Sequence, residues 1–299
     1  MSVKLFAPEY YKKFKCIADK CRHSCCIGWE IDVDEDAMKK YESFHSGYGE
    51  EILNSIERDD VPHFRLLECD RCPHLDEKGL CKIITELGEG YLCHICREHP
   101  RFYNDTLYGK EVGLGMSCEE AARLILSSDG YANMVEIGES EDEEDEFFFD
   151  PIPHRERIFG MLSDRSRPYC ERLSAISGEY HVSLKHLSDG EWRAKLASLE
   201  YLHESHKELF SAYSSSKETP ILVEKQLERA FAYFVYRHCT SAFDGEEFCA
   251  SLGFALFCER LVCSLVAEGL DVAEAARIVS EELEYSEDNT EALKEKFLI

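Results

Sequence analysis

A chain of 299 residues with 44% hydrophobic residues can bury one large core or two smaller ones, which excludes disorder as a global description. With 34 basic residues against 60 acidic ones it carries a net charge of -26, a field that repels nucleic acid and anionic membrane surfaces. The opening Met1 to Pro8 has no uninterrupted apolar stretch of the signal-peptide kind, and no run of roughly 18 apolar residues follows it, so a soluble cytoplasmic protein with neither nucleic-acid nor membrane partners is expected.

Fifteen cysteines in a cytoplasmic chain are not a disulfide framework, because the cellular thiol pools keep ordinary cysteines reduced. Ten of them lie at or before Cys118: Cys16, Cys21, the adjacent Cys25 and Cys26, then Cys69, Cys72, Cys81, Cys93, Cys96 and Cys118. Thiolates bunched in this way repel one another and oxidise unless a cation neutralises them, so a metal is the economical explanation. The two C-x-x-C pairs, Cys69/Cys72 and Cys93/Cys96, suit zinc. The adjacent pair and the irregularly spaced single cysteines suit iron–sulfur ligation, the reading preferred here.

Two familiar cofactor patterns fail. The radical S-adenosylmethionine signature C-x3-C-x2-C begins correctly at Cys21 and Cys25, but its third position is Gly28. Glu86-Leu-Gly88-Glu-Gly90 superficially resembles the acidic glycine turn of class I methyltransferases, yet no parallel-sheet pattern surrounds it.

Further along, residues 136–150 hold nine carboxylates and no basic residue, which reads as a solvated linker or loop. A helical pattern begins at Pro153 and runs to Ile176. Amphipathic helices are then predicted over Glu191 to Tyr213, with Trp192, Leu196, Leu199, Leu202 and Leu209 on one side, and over Pro220 to Cys239, Gly245 to Glu268 and Val272 to Tyr285. The fold class expected is therefore mainly α: an irregular cysteine-rich metal-binding N-terminal module over residues 1–135, an acidic linker or loop over 136–150, and a helical bundle over 151–299. Cys170, Cys239, Cys249, Cys258 and Cys263 fall within the helices without ligand spacing and are read as core residues.

The N-terminal strings now become specific. Pro8-x-Tyr10-Tyr11-x2-Phe14-x-Cys16-Ile17, followed by Cys21-x3-Cys25-Cys26-x-Gly28-Trp29-x-Ile31-x-Val33-Asp34, resembles the opening of the flagellin lysine-N-methylase family. The later blocks Cys72-Pro73-His74-Leu75-Asp76-x2-Gly79-Leu80-Cys81, Leu87-Gly88-Glu89, Cys96-x3-Pro100-Arg101 and Ser117-Cys118-x-Glu120-Ala121-Ala122-Arg123 are similar to that family in the same order. The cysteine cluster also resembles a broader group of zinc- or iron-chelating proteins. The likeness covers residues 8 to about 128.

The resemblance implies a metal ligand set of Cys16, Cys21, Cys25, Cys26, Cys72, Cys81, Cys96 and Cys118, with Cys69 and Cys93 outside it. Eight thiolates fill one 4Fe-4S cluster with four left over, or two four-ligand sites, and both remain open. It further implies S-adenosylmethionine as methyl donor and flagellin as protein substrate; the alternative is a non-catalytic zinc- or iron-chelating module. Methyl transfer needs a neutral lysine amine, whereas an unperturbed lysine is protonated at pH 7. Asp34, Glu98, His94 and His99 are candidate bases, Trp29, Tyr10 and Tyr11 a candidate aromatic wall for a methylated ammonium, and Arg101 a candidate counter-charge beside the thiolates; each has a capping, packing or surface reading beside it. No catalytic residue is assigned.

Overall fold

The structure is a computed structural model and describes residues 2–45, 47–141, 148–218 and 220–298. In chain order the elements are β1 (Ser2–Pro8), α1 (Glu35–Ser43), α2 (Gly47–Asn54), β2 (Ile56–Glu57), β3 (His63–Phe64), α3 (Lys82–Leu87), α4 (His94–Glu98), β4 (Arg101–Thr106), β5 (Gly109–Leu114), α5 (Glu119–Ser127), β6 (Met134–Glu141) and α6 (Ile152–Leu162). They continue with α7 (Tyr169–Glu179), α8 (Asp189–Ala197), α9 (Glu204–Phe210), α10 (Glu224–Cys239), α11 (Gly245–Ala267), α12 (Val272–Glu284) and α13 (Glu287–Lys294). The fold is mainly α, as the periodicity requires.

The chain divides into two units, but not at the acidic stretch. The larger unit comprises Met1–Phe14 and Arg101–Ile299, the smaller Lys15–Pro100. The expected module over 1–135 is therefore corrected at both ends: residues 101–135 fold with the C-terminal helices, and so does β1. Of the acidic stretch, residues 136–141 are strand rather than linker, and residues 142–147 lie outside the described residues.

The larger unit contains a sheet of order β4-β5-β1-β6, in which β1 runs parallel to β5 and antiparallel to β6. The carboxylates of β6 are tolerated because the strand is an edge: Glu136 and Glu139 are exposed, and Lys4 on β1 donates to Glu136 at 2.8 Å. At Gly113 on β5 a Cβ would stand 2.2 Å from Cζ of Phe102 and 2.7 Å from Cε1 of Tyr236. Gly113→Ala should therefore cost about 1–3 kcal/mol by overpacking, read as a lower urea midpoint with an unchanged slope.

The helices of this unit start where the chain supplies caps. Asp244 accepts from the N–H of Glu247 to open α11, Asp271 from those of Ala273 and Glu274 to open α12, and Ser188 with Glu191 forms a capping box on α8. Helix α11 is long and apolar enough to cross a membrane by length and composition, yet 83% of its apolar window is buried within the unit, among Phe231, Phe234 and Trp192. Cys239, Cys258 and Cys263 are buried in this core as small apolar side chains. Cys249 is half-buried, and Cys170 is exposed, which corrects its core assignment.

One predicted helix is broken. Between α8 and α9 the backbone N–H groups of Glu200, Leu202 and His203 are taken by side chains from elsewhere: Asn289 Oδ1 at 3.1 Å, and the Glu282 carboxylate at 2.8 and 3.2 Å. Once those donors have partners, the chain need not continue as helix through residues 198–203.

The smaller unit has a modest core of Ile31, Val33, Tyr41, Ile52, Ile56, Phe64, Leu75 and Ile83. Its helices are short, α3 with 6 residues and α4 with 5, lengths that have no independent stability in water. A unit of this size and irregularity is of the kind that metals or disulfides staple.

Candidate metal centre

Three local structures carry the cysteines of the smaller unit towards one another. The first is a pairing of two backbone segments: Ile27 bridges Arg71, Cys72 N–H donates to Cys26 C=O at 2.9 Å, and Gly28 N–H donates to Asp70 C=O at 3.0 Å. Gly28 takes a φ of 86°, which a side chain would strain. The second is the turn 72–81, where Asp76 Oδ1 accepts from the N–H groups of Lys78 and Leu80, both at 2.8 Å, and Gly79 adopts a φ of 77°. That turn lets Leu75 bridge Cys81 and returns the chain beside Cys72.

The third is the start of α4, which follows Cys93 and carries Cys96. Asp34 fixes it: one carboxylate oxygen caps α1 through the Ala37 N–H at 3.0 Å, the other accepts from the His94 N–H at 2.6 Å. Asp34 is thus a capping residue, and these bonds hold its carboxyl below the usual range against the burial that raises it. Tyr41 donates to Tyr91 C=O at 2.7 Å and places its oxygen 3.4 Å from the Cys93 sulfur.

The result is a set of thiols that feel one another's charge. Burial pushes Cys72 up to about 12, opposed by the N–H of His74, and Cys26, Cys81 and Cys93 push it further. Cys81 is likewise raised, first by burial, while the N–H groups of Ile83 and Ile84 favour its thiolate. Cys26 is lowered to about 7, chiefly by the hydrogen bond from Cys25, with Ser24 and the Arg71 guanidinium assisting. Cys93 is lowered by a hydrogen bond from Cys96, whose own thiol is raised in return. Cys25, Cys26, Cys72, Cys81, Cys93 and Cys96 therefore form one electrostatically interacting group, in which Cys72 and Cys93 are buried, Cys26, Cys81 and Cys96 half-buried and Cys25 exposed, with backbone N–H donors and one guanidinium favouring anionic sulfur.

The chemistry of this donor set suits a thiophilic metal, since the ligands are soft sulfurs whose thiolates have hydrogen-bond donors, although among the described residues the ligand atoms found in threes within 4.8 Å of one another are not these sulfurs. Of the residues expected from sequence, Cys25, Cys26, Cys72, Cys81 and Cys96 belong to this electrostatically interacting group. Cys16 is exposed and accepts from the Ala18 N–H at 3.4 Å; Cys21 is half-buried and donates to His23 C=O at 2.6 Å. Cys118 belongs to the larger unit, where it precedes α5 and packs on that unit's core.

Two residues were missed. Cys93, set aside in favour of the family pattern, is buried within the thiol group; its spacing to Cys96 was the available signal. Arg71, immediately before Cys72, faces Cys26. Arg101 in turn donates to Tyr11 Oη at 2.8 Å and stacks over the Tyr11 and Phe14 rings at 5.9 Å each. Cys69 is exposed with a φ of 60°, so a two-knuckle zinc pattern keeps only its second half. Tyr10, only 2% exposed in the core of the larger unit, is a packing residue rather than part of an aromatic wall. Gly88, in the suspected cofactor loop, ends α3 by donating to Ile83 C=O and Ile84 C=O.

The smaller unit is thus cysteine-rich with a group of interacting thiols, and the larger unit is mainly α. Over 133 residues the chain is 30% identical to the lysine-N-methylase of Salmonella typhimurium and, over the same length, 30% identical to that of Salmonella choleraesuis; each match takes in 40% of this chain and 32% of the relative. It is also 29% identical over 133 residues to the flagellar biosynthetic protein FliU of Salmonella muenchen, of which the match covers 75%. The likeness to flagellin lysine-N-methylases read from the cysteine blocks is borne out by these relatives, although the matched region spans about a third of the length of the two lysine-N-methylases. No family model and no solved structure matches the chain.

Proposed function

We propose that this chain is a cytoplasmic, S-adenosylmethionine-dependent protein lysine N-methyltransferase acting on flagellin, with a 4Fe-4S cluster held by the thiol group of the smaller unit. The similarity to two proteins named lysine-N-methylase carries the reading of the reaction, and the density of electrostatically interacting thiols carries the reading of the metal. When bound, such a cluster supplies a redox centre and cross-links segments that are too short to hold themselves. The chain's own contributions are electrostatic and structural. Its net charge of -26 attracts both a lysine-bearing partner and the sulfonium of the methyl donor. Arg71 and the N–H groups of His74, Ile83 and Ile84 favour anionic sulfur where ligands are needed.

A second reading, zinc in place of iron, is favoured by the intact Cys93-x2-Cys96 pair, whose sulfurs share one hydrogen bond. Anaerobic purification separates the two: a brown protein with several irons per chain supports the cluster, and a colourless one with stoichiometric zinc rejects it. The reaction is tested by calorimetry with S-adenosylmethionine and by intact-mass analysis of flagellin from the same organism. A methyl-sized mass increase supports the proposal; a fully metallated protein that neither binds the donor nor shifts the mass removes it for that substrate.

A further inference from the structure

Away from the thiols, the larger unit holds a second group of ligand-bearing side chains. His206 on α9 and the consecutive Glu281 and Glu282 on α12 place one nitrogen and two carboxylate oxygens within 4.8 Å of one another. His206 Nδ1 lies 2.6 Å from Oε1 of Glu282 and 3.8 Å from Oε2 of Glu281. Glu281 is only 9% exposed, and although Arg277 Nη1 stands 2.9 Å from its Oε2 as an ion pair, no well-aligned hydrogen bond reaches that buried oxygen.

Arg277 is the guanidinium facing the group, and its other nitrogens are engaged by Glu274 at 3.0 and 3.3 Å. Glu281 and Glu282, 9% and 2% exposed, thus bring two buried carboxylates to one place, with Arg277 Nη1 on the first. Negative charge in such surroundings is costly unless a cation offsets it. The second carboxylate is also held in position: Glu282 accepts from the backbone N–H groups of Leu202 and His203, which fixes its orientation as the supporting contacts of a metal ligand do.

We propose that His206, Glu281 and Glu282 form a mononuclear site for a divalent first-row metal ion of the Mn2+, Fe2+ or Zn2+ type. One imidazole and two carboxylates are the donor set of borderline-hard ions and do not suit the thiophilic centre of the smaller unit. Ligation requires an Nδ1 lone pair, with the ring proton on Nε2, and it turns the short His206–Glu282 contact into shared coordination of the ion. Arg277 competes for Glu281 in the metal-free state.

Mn2+ tests this in the full chain, because manganese prefers oxygen and nitrogen donors and leaves the thiols silent. Its free six-line electron paramagnetic resonance signal is titrated at an ionic strength of about 0.15 M, where scattered surface carboxylates are screened. The wild type should remove one equivalent from the free signal. His206→Ala and the near-isosteric Glu281→Gln should weaken that binding by at least the roughly tenfold to hundredfold seen when a metal site's supporting contacts are lost. Arg277→Gln should tighten it, an outcome that a purely structural ion-pair network does not give. Absence of stoichiometric Mn2+ binding by the wild type overturns the proposal, as does unchanged binding in folded His206→Ala or Glu281→Gln.

Discussion

Replacing Cys93 by serine is expected to strip the metal from the smaller unit as completely as replacing Cys72. Both side chains are buried, at 1% and 4% exposure, and each interacts electrostatically with other thiols of the group. In modules of this kind the metal's binding energy is folding energy, about 10–16 kcal/mol for structural zinc in small peptides, which exceeds the stability of most whole domains. Loss of one buried ligand should therefore unfold residues 15–100 while the larger unit keeps its helices. Metal analysis together with circular dichroism and proteolysis of the smaller unit reads both effects. Cys69→Ser, at an exposed position, should retain full metal content and resistance. A Cys93→Ser protein with normal metal would return the ligand set to the one drawn from family resemblance alone.

Glu228→Ala should destabilise the larger unit by about 3–5 kcal/mol, the range for removing one partner of a buried pair. The carboxylate, 1% exposed on α10, accepts from Tyr131 Oη at 3.0 Å, from Arg165 Nη2 at 2.6 Å and from Arg172 Nη1 at 2.6 Å. Arg172 is itself 5% exposed on α7, so the variant leaves a guanidinium in the core with the Leu162 carbonyl as its remaining acceptor. Urea unfolding followed by tryptophan fluorescence suits the measurement, because Trp192 lies in the same core. Breaking the exposed Lys39–Glu35 pair on α1 should leave stability unchanged. A loss below about 1 kcal/mol for Glu228→Ala would mean that Arg172 finds water or another acceptor when its partner goes.

The helical part was legible because its apolar residues recur at helical spacing and its helices begin at Asp244, Asp271 and Ser188, caps visible in the sequence. The sheet was not. Ser2–Pro8 pairs with residues more than 100 positions away, so nothing local announces it as a strand. The acidic stretch misled for a related reason: composition reports solvation, and an edge strand is solvated too. Leu199 and Leu202 fit a helical stripe, but Glu282 and Asn289, some 80 residues on, hold the backbone there in another shape. At the site, the density of cysteines was readable, and their grouping was only partly so. Cys93 is distinguished from Cys69 by burial, which a spacing pattern does not carry.

The smaller unit is an insertion, entered after Phe14 and left before Arg101, both of which belong to the larger unit. For the larger unit, residues 15–100 are therefore a loop whose ends must be brought together before β1 can join β5. A flexible loop of about 86 residues costs about 4 kcal/mol to close, by the logarithmic scaling of chain entropy with length. An insert already folded around its metal, with its ends at a fixed separation, presents a far shorter effective loop. Loading of the proposed metal would then favour the sheet through the number of conformations that the unclosed chain gives up.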